Sequence, residues 1–224
     1  MRSLAIGATG MQAQQLNVEV ISNNLANSST NGFKRQRPVF QDLLYQNLRR
    51  IGSASSDAGT IVPSGVQIGA GVRTASVYRV MEQGNITVTD NKLDLAVNGN
   101  GFFQITLPNG ETAYTRDGSF QLSPTGQVVT SNGYVLSPAI TIQSNVQDIT
   151  ISPQGQVQVK IAGTTTPSTV GTISLASFAN SAGLEAVGDN LFLETPASGS
   201  PTALTTTGRW RLPTGSAAPA VRWR

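Results

Sequence analysis

The sequence predicts a mainly β protein with a long N-terminal α-helix, in which an extended arm joins the helix to a β-rich body of hairpins. Three observations predict it. Leu4, Met11, Val18 and Leu25 recur every seven residues at the start of the chain. Residues 49–71 are rich in Gly and Ser, contain Pro63 and show no periodicity. From Val72 onward, short apolar alternations are separated by turn dipeptides.

A seven-residue apolar seam is what a helix shows when it packs lengthwise against other helices. Ile21 and Ala8 widen the seam, and Ala13, Leu16 and Val20 form a second stripe, so neighbours are expected on more than one side. No second long helical pattern appears later, so the seam's partner is expected from outside the chain. Residues 1–27 are accordingly expected to be poorly ordered in an isolated monomer, because a short helix without tertiary packing is marginal in water. The alternative is an amphipathic helix lying on its own domain. Asn23, Asn24, Asn27, Ser28, Ser29, Thr30, Asn31 and Gly32 then end the helix, since Asn and Gly tolerate positive φ.

Phe33-Lys34-Arg35-Gln36-Arg37-Pro38 reads as basic and extended before its proline. Residues 39–48 read as a short helix or an extended packing segment. Leu93, Leu95 and Val97 alternate with polar or small residues, as do Val157, Val159 and Ile161. Asn98-Gly99, Asn109-Gly110, Asp117-Gly118 and Asn132-Gly133 are hairpin dipeptides. Leu122-Ser123-Pro124-Thr125-Gly126-Gln127-Val128 echoes Ile151-Ser152-Pro153-Gln154-Gly155-Gln156-Val157, which predicts two similar hairpin turns. The expected organisation is an assembly helix over 1–30, an extended connector over 31–72, a β-rich body over 73–203 and an atypical basic, disordered tail over 204–224.

Composition removes most chemistry. The 224 residues include no Cys and no His, which excludes thiol nucleophiles, disulfides, most zinc sites and imidazole acid–base catalysis. Charged residues make up 12%, about half the ordinary share, which points to surfaces that meet other proteins. Residues 1–203 carry a net charge of −1, and residues 204–224 carry four arginines and no acid. The basic balance therefore belongs to the tail and is not read as a nucleic-acid footprint. No apolar run is long enough to span a membrane, and Gly7, Thr9, Gly10 and Gln12 interrupt any secretory signal. Asp90 and Asp94 would lie about 13 Å apart on a strand at the usual rise, too far for a hydrolytic carboxylate pair. Arg116 and Asp117 read as a turn with a surface pair. No catalytic residue, cofactor or metal site is nominated.

Several motifs carry a family resemblance. Ile21-Ser22-Asn23-Asn24-Leu25-Ala26-Asn27, followed by Thr30-Asn31-Gly32-Phe33-Lys34-Arg35, resembles the N-terminal signature of the flagellar basal-body rod and hook family. Asp94-Leu95-Ala96-Val97-Asn98-Gly99-Asn100-Gly101-Phe102-Phe103 resembles the opening of that family's β domain, and Tyr114-Thr115-Arg116-Asp117-Gly118-Ser119-Phe120 its next hairpin. Phe40-Gln41-Asp42-Leu43-Leu44-Tyr45 and Pro63 to Gly69 resemble the distal-rod branch, with hook and proximal rod subunits as alternatives.

The resemblance implies a structural subunit that self-assembles helically into a torque-transmitting tube across the periplasm. It implies export through the flagellar type III apparatus without a cleaved signal, and contacts with other rod and hook subunits and with basal-body rings. Seam and signature together nominate Leu4, Met11, Val18, Ile21, Asn24, Leu25, Asn27 and Phe33 as the assembly interface. Family members close with a C-terminal helix that pairs with the first. Residues 204–224 lack a seven-residue seam and read as a shifted or truncated frame, so the chain as written is expected not to build ordered tubes. Two other function classes compete: a β-rich surface-binding or adhesin module, and a polysaccharide hydrolase. The first leaves the helical seam unexplained and the second lacks its carboxylate pair.

Overall fold

The computed structural model describes residues 2–52, 64–89, 91–152, 154–161, 163 and 166–204, and for Thr87, Val88 and residues 220–223 the backbone only. Its contacts form two compact units, residues 1–26 with 35–80, and residues 27–34 with 81–224.

The first unit is a helix on a β ribbon. Helix α1 (Arg2–Ala26) contains no proline and ends within the Asn- and Ser-rich cluster, with Asn23 and Asn24 in its last turn. Strands β1 (Gln36–Asp42), β2 (Tyr45–Arg49), β3 (Val66–Gly69) and β4 (Val72–Arg79) follow. β1 pairs antiparallel with β4, from Gln36 opposite Arg79 to Asp42 opposite Val72, with a bulge at Val39/Phe40. β2 pairs antiparallel with β3. Backbone bonds from Leu43 N–H to Gly71 C=O (2.9 Å) and from Ala70 N–H to Leu44 C=O (3.1 Å) join the two pairs into one ribbon. Residues 39–48 are thus largely strand. Pro38 is tolerated because both strands of a two-stranded ribbon are edges. Residues 73–79, read from the sequence as the start of the body, are the return strand of this ribbon.

The second unit is the β-rich body. Its strands are β5 (Ile86–Thr89), β6 (Phe102–Thr106), β7 (Thr112–Thr115), β8 (Phe120–Leu122), β9 (Val128–Thr130), β10 (Val135–Ser137), β11 (Val146–Ile151), β12 (Gln156–Ile161), β13 (Ser168–Thr172), β14 (Leu175–Ser177), β15 (Glu185–Gly188), β16 (Leu191–Leu193), β17 (Thr202–Leu204) and β18 (Ala220–Trp223). A nine-stranded sheet runs β15-β16-β7-β6-β10-β9-β8, with β14 also on β6 and β17 on β14. β11, β12 and β13 form a second antiparallel sheet.

Adjacent side chains on a strand point to opposite faces, and the middle of the large sheet is covered on both. Phe103, Ile105, Leu136, Leu175 and Leu191 enter one core with Leu95, Val97, Phe120, Ile140 and Ile173. Phe102, Tyr114, Ala176 and Phe192 enter another with Phe178 and Leu184. Edge-to-face ring pairs fix the aromatic positions, Phe103 with Phe120 at 5.1 Å and Tyr114 with Phe178 at 4.7 Å.

The echoed motifs form matching turns. Ser123 N–H donates to Gln127 C=O and Gly126 N–H to Ser123 C=O, and Ser152, Gln156 and Gly155 repeat both bonds. The repetition extends outward, because Ile142 N–H donates to Gly126 C=O and Ile173 N–H to Gly155 C=O. At the chain end, residues 205–219 and 224, on which most of the expected disordered tail falls, lie outside the described residues. Ala220–Trp223 forms a strand antiparallel to β5.

Candidate assembly surface

Helix α1 carries two apolar stripes. Ala13 and Val20 are buried and Ile6, Thr9 and Leu16 half-buried, and the helix packs on β1 and β4. Thr9 Oγ1 accepts from Val72 N–H at 3.3 Å while donating to Ile6 C=O at 2.8 Å. The reading of a helix lying on its own domain therefore holds for the second stripe. The seven-residue seam faces away. Leu4, Met11, Val18, Ile21 and Leu25 are 56–74% exposed. Each such side chain would contribute about 1.5–3 kcal/mol if fully buried, so a continuous exposed row is a strong claim on a partner.

The other nominated residues are engaged within the chain. The Asn24 side chain bridges the Gln36 backbone, donating to its C=O and accepting from its N–H, both at 2.8 Å. It thereby holds the end of α1 on the first residue of β1. Asn27 accepts from Thr30 at both its backbone and its side-chain oxygen, at 3.0 and 3.2 Å. Phe33 is half-buried.

Within the body unit, residues 27–34 are clasped by groups that sequence reasoning missed. Gly32 has φ +70°, and a Cβ there would sit 2.7 Å from Asp117 N, so both conformation and space demand glycine. Asn190 Nδ2 donates to Asn31 C=O at 2.7 Å. Lys34, read as part of a basic, extended stretch, is 7% exposed, and its Nζ donates to Glu82 C=O at 2.6 Å. Burial, and secondarily the nearby Arg116 guanidinium, lowers the Lys34 pKa to about 8.

The expected surface pair at Arg116 and Asp117 does not form. Arg116 is 3% exposed. It donates to Gly99 C=O at 2.6 Å and Val97 C=O at 3.4 Å and lies 5.8 Å from the Phe102 ring centroid. Burial lowers its pKa to about 10. Asp117 instead accepts from the Ser119 N–H and hydroxyl. The cause is the chain's close approach at Gly118, where any Cβ would strike Leu95 C=O and Leu95 N–H donates to Gly118 C=O.

Charge divides by unit. Residues 35–80 hold six arginines against Asp42 and Asp57, a net of +4, while Arg2 and Glu19 on the helix cancel. Residues 27–34 with 81–203 hold four basic and nine acidic groups, a net of −5, which the four arginines of residues 204–224 bring to −1 for the whole second unit. As for chemistry, Asp94 accepts from Thr89 Oγ1 at 2.9 Å and Asn91 Nδ2 at 2.7 Å, as a turn staple would. Its supposed partner Asp90 lies outside the described residues. Among the described residues no group of His, Cys, Asp or Glu is arranged to hold a metal, and no helix is long and apolar enough to cross a membrane.

Comparison with known proteins agrees with these motifs. Residues 4–34 match the flagella basal body rod protein family, and residues 96–159 match the flagellar hook protein FlgE/F/G D1 domain. The chain is 61% identical over 202 residues to the flagellar basal-body rod protein FlgG of Caulobacter vibrioides, covering 90% of this chain and 77% of that relative. It is 49% identical over 201 residues to the protein of the same name in Agrobacterium fabrum, with 90% and 77% covered. To that of Bacillus subtilis it is 37% identical over 207 residues, with 91% and 77% covered. A rod-type N-terminal helix, a D1-type β body and identity sustained along nine-tenths of the chain lead to one conclusion: this chain belongs to the flagellar basal-body rod protein family.

Proposed function

We propose that this chain is a structural subunit of the flagellar basal-body distal rod, a drive shaft it forms by helical assembly with copies of itself. The observation that carries this reading is the exposed seam of α1. One stripe of the helix is satisfied by the chain's own ribbon, and the other, Leu4-Met11-Val18-Leu25, is left in water. A helix spaced for lengthwise packing, with no cover on that side among the described residues, is built for neighbouring helices.

In this reading the subunit leaves the cytoplasm through the flagellar export apparatus without a cleaved signal and spans the periplasm within the basal body. It contacts other rod and hook subunits and the surrounding rings, works without cofactor and catalyses nothing. Hook or proximal rod placement is the alternative within the family. The test uses cells that lack their own distal rod subunit and express residues 1–203 joined to a family-type C-terminal helix. Mass spectrometry of purified basal bodies should find the chain in the rod. Its Met11→Glu form should be exported but absent from the rod. Recovery of both forms in the hook, or of neither in any flagellar fraction, would refute the placement.

A further inference from the structure

The sequence contains five Asn-Gly steps, and the fold treats them differently. At Asn31 the following Gly32 is buried against Asp117, and Asn31 C=O is held by Asn190. Asn98 is half-buried and its Oδ1 accepts from Gln83 Nε2 at 2.9 Å. Asn100 has partners of its own, and Gly101 is buried against Val97, Leu175 and Leu204. The remaining two, Asn109 and Asn132, sit at exposed hairpin tips of nearly identical geometry. Gly110 has φ +85° and its N–H donates to Leu107 C=O at 2.9 Å. Gly133 has φ +84° and its N–H donates to Thr130 C=O at 2.9 Å.

The side chains separate these two turns. Asn109 is pinned at both ends, its Oδ1 accepting from Glu111 N–H at 3.0 Å and its Nδ2 donating to Glu111 Oε2 at 2.7 Å. Asn132 is exposed, and among the described residues no hydrogen bond holds its side chain. A Cβ on either following glycine would meet nothing within 4 Å, so neither turn is shielded by neighbours. Backbone constraint and access are thus matched, and only the freedom of the amide differs.

We propose that Asn132 is a site of spontaneous deamidation in the folded protein, protected at the matching turn by the Glu111 clamp on Asn109. Gly133 N attacks Asn132 Cγ; the new N–Cγ bond forms as the Cγ–Nδ2 bond breaks, and ammonia leaves with the amide proton. Water then opens the cyclic imide to aspartate or isoaspartate. Glycine is the least obstructive residue at the attacking position because it has no side chain. The amide must rotate toward the backbone, a motion open to Asn132 and resisted at Asn109 by two hydrogen bonds. The product adds one negative charge to the β9–β10 tip, and isoaspartate adds a backbone atom to the turn.

The test is peptide mapping of the full-length chain aged at physiological temperature and mildly alkaline pH, folded and in denaturant. In the folded protein the Asn132 peptide should convert several-fold faster than the Asn109 peptide, and in denaturant the two rates should converge. Glu111→Ala should raise the Asn109 rate in the folded state and leave that of Asn132 unchanged. Equal rates in the folded protein, a ratio unchanged by denaturant, or no response of Asn109 to Glu111→Ala would overturn the proposal.

Discussion

Lys34 holds its ammonium group inside the body at a cost. Its pKa is lowered to about 8, chiefly by burial and then by Arg116. The folded state therefore prefers the neutral amine, and the stability gained from deprotonation is complete above the ordinary lysine pKa and lost as pH falls through about 8. Thermal melting of the wild type should rise between pH 8 and 10 relative to Lys34→Met, which removes the titrating group. Parallel pH profiles would show that Lys34 is not buried in the folded chain. Leu95 is a simpler case, lying in the main core beside Phe103 and Val97. Leu95→Asp should cost several kcal/mol, because an unpaired buried charge has no compensating partner. Chemical denaturation reads this directly, and an unchanged midpoint would place Leu95 outside the core. The core position of Leu95 was legible from its apolar spacing with Leu93 and Val97, although the segment forms only an isolated bridge, Asp94 with Ser119, instead of the expected strand, and Ala96 is buried too. The burial of Lys34 and Arg116 was not, because the sequence around a basic residue reads the same whether its side chain turns outward to water or inward to carbonyls.

At the scale of elements, α1 was the clearest signal, since both its stripes stand out as separate periodicities. Their different fates were hidden, because apolar spacing alone does not say which stripe meets the same chain. The structure gives a paired test. Ala13 is buried against the ribbon and Met11 is 70% exposed. Ala13→Glu should loosen α1 from β1 and β4 and raise amide exchange along the helix by orders of magnitude. Met11→Glu should leave exchange in the monomer nearly unchanged while blocking assembly. Equal effects of the two on monomer exchange would mean the stripes are not distinct. The ribbon itself was only half legible. Both faces of β2 are exposed, so it lacks the period-two alternation of a half-buried strand. The doubly covered middle of the body sheet hides alternation in the opposite way, since Phe102 and Phe103 are both buried. Turn chemistry was the more dependable guide, as the two Ser-Pro-x-Gly hairpins show.

For the whole molecule, charge and seam act together. Residues 35–80, at net +4, and residues 27–34 with 81–203, at net −5, favour attraction between copies once the four arginines of residues 204–224 are replaced, over a range of about 10 Å at ordinary ionic strength. Light scattering should show self-association weakening as salt rises; association that strengthens steadily with salt would leave only the apolar seam in play. The central claim is that the outward seam of α1 is the surface on which copies assemble. Negative-stain imaging tests it most directly, applied to the chain with residues 204–224 replaced by a family-type seven-residue-repeat helix and to the same protein carrying Met11→Glu and Val18→Glu. The first should form regular tubes, and the second should remain dispersed with its body melting unchanged. Regular tubes from both proteins would contradict the account.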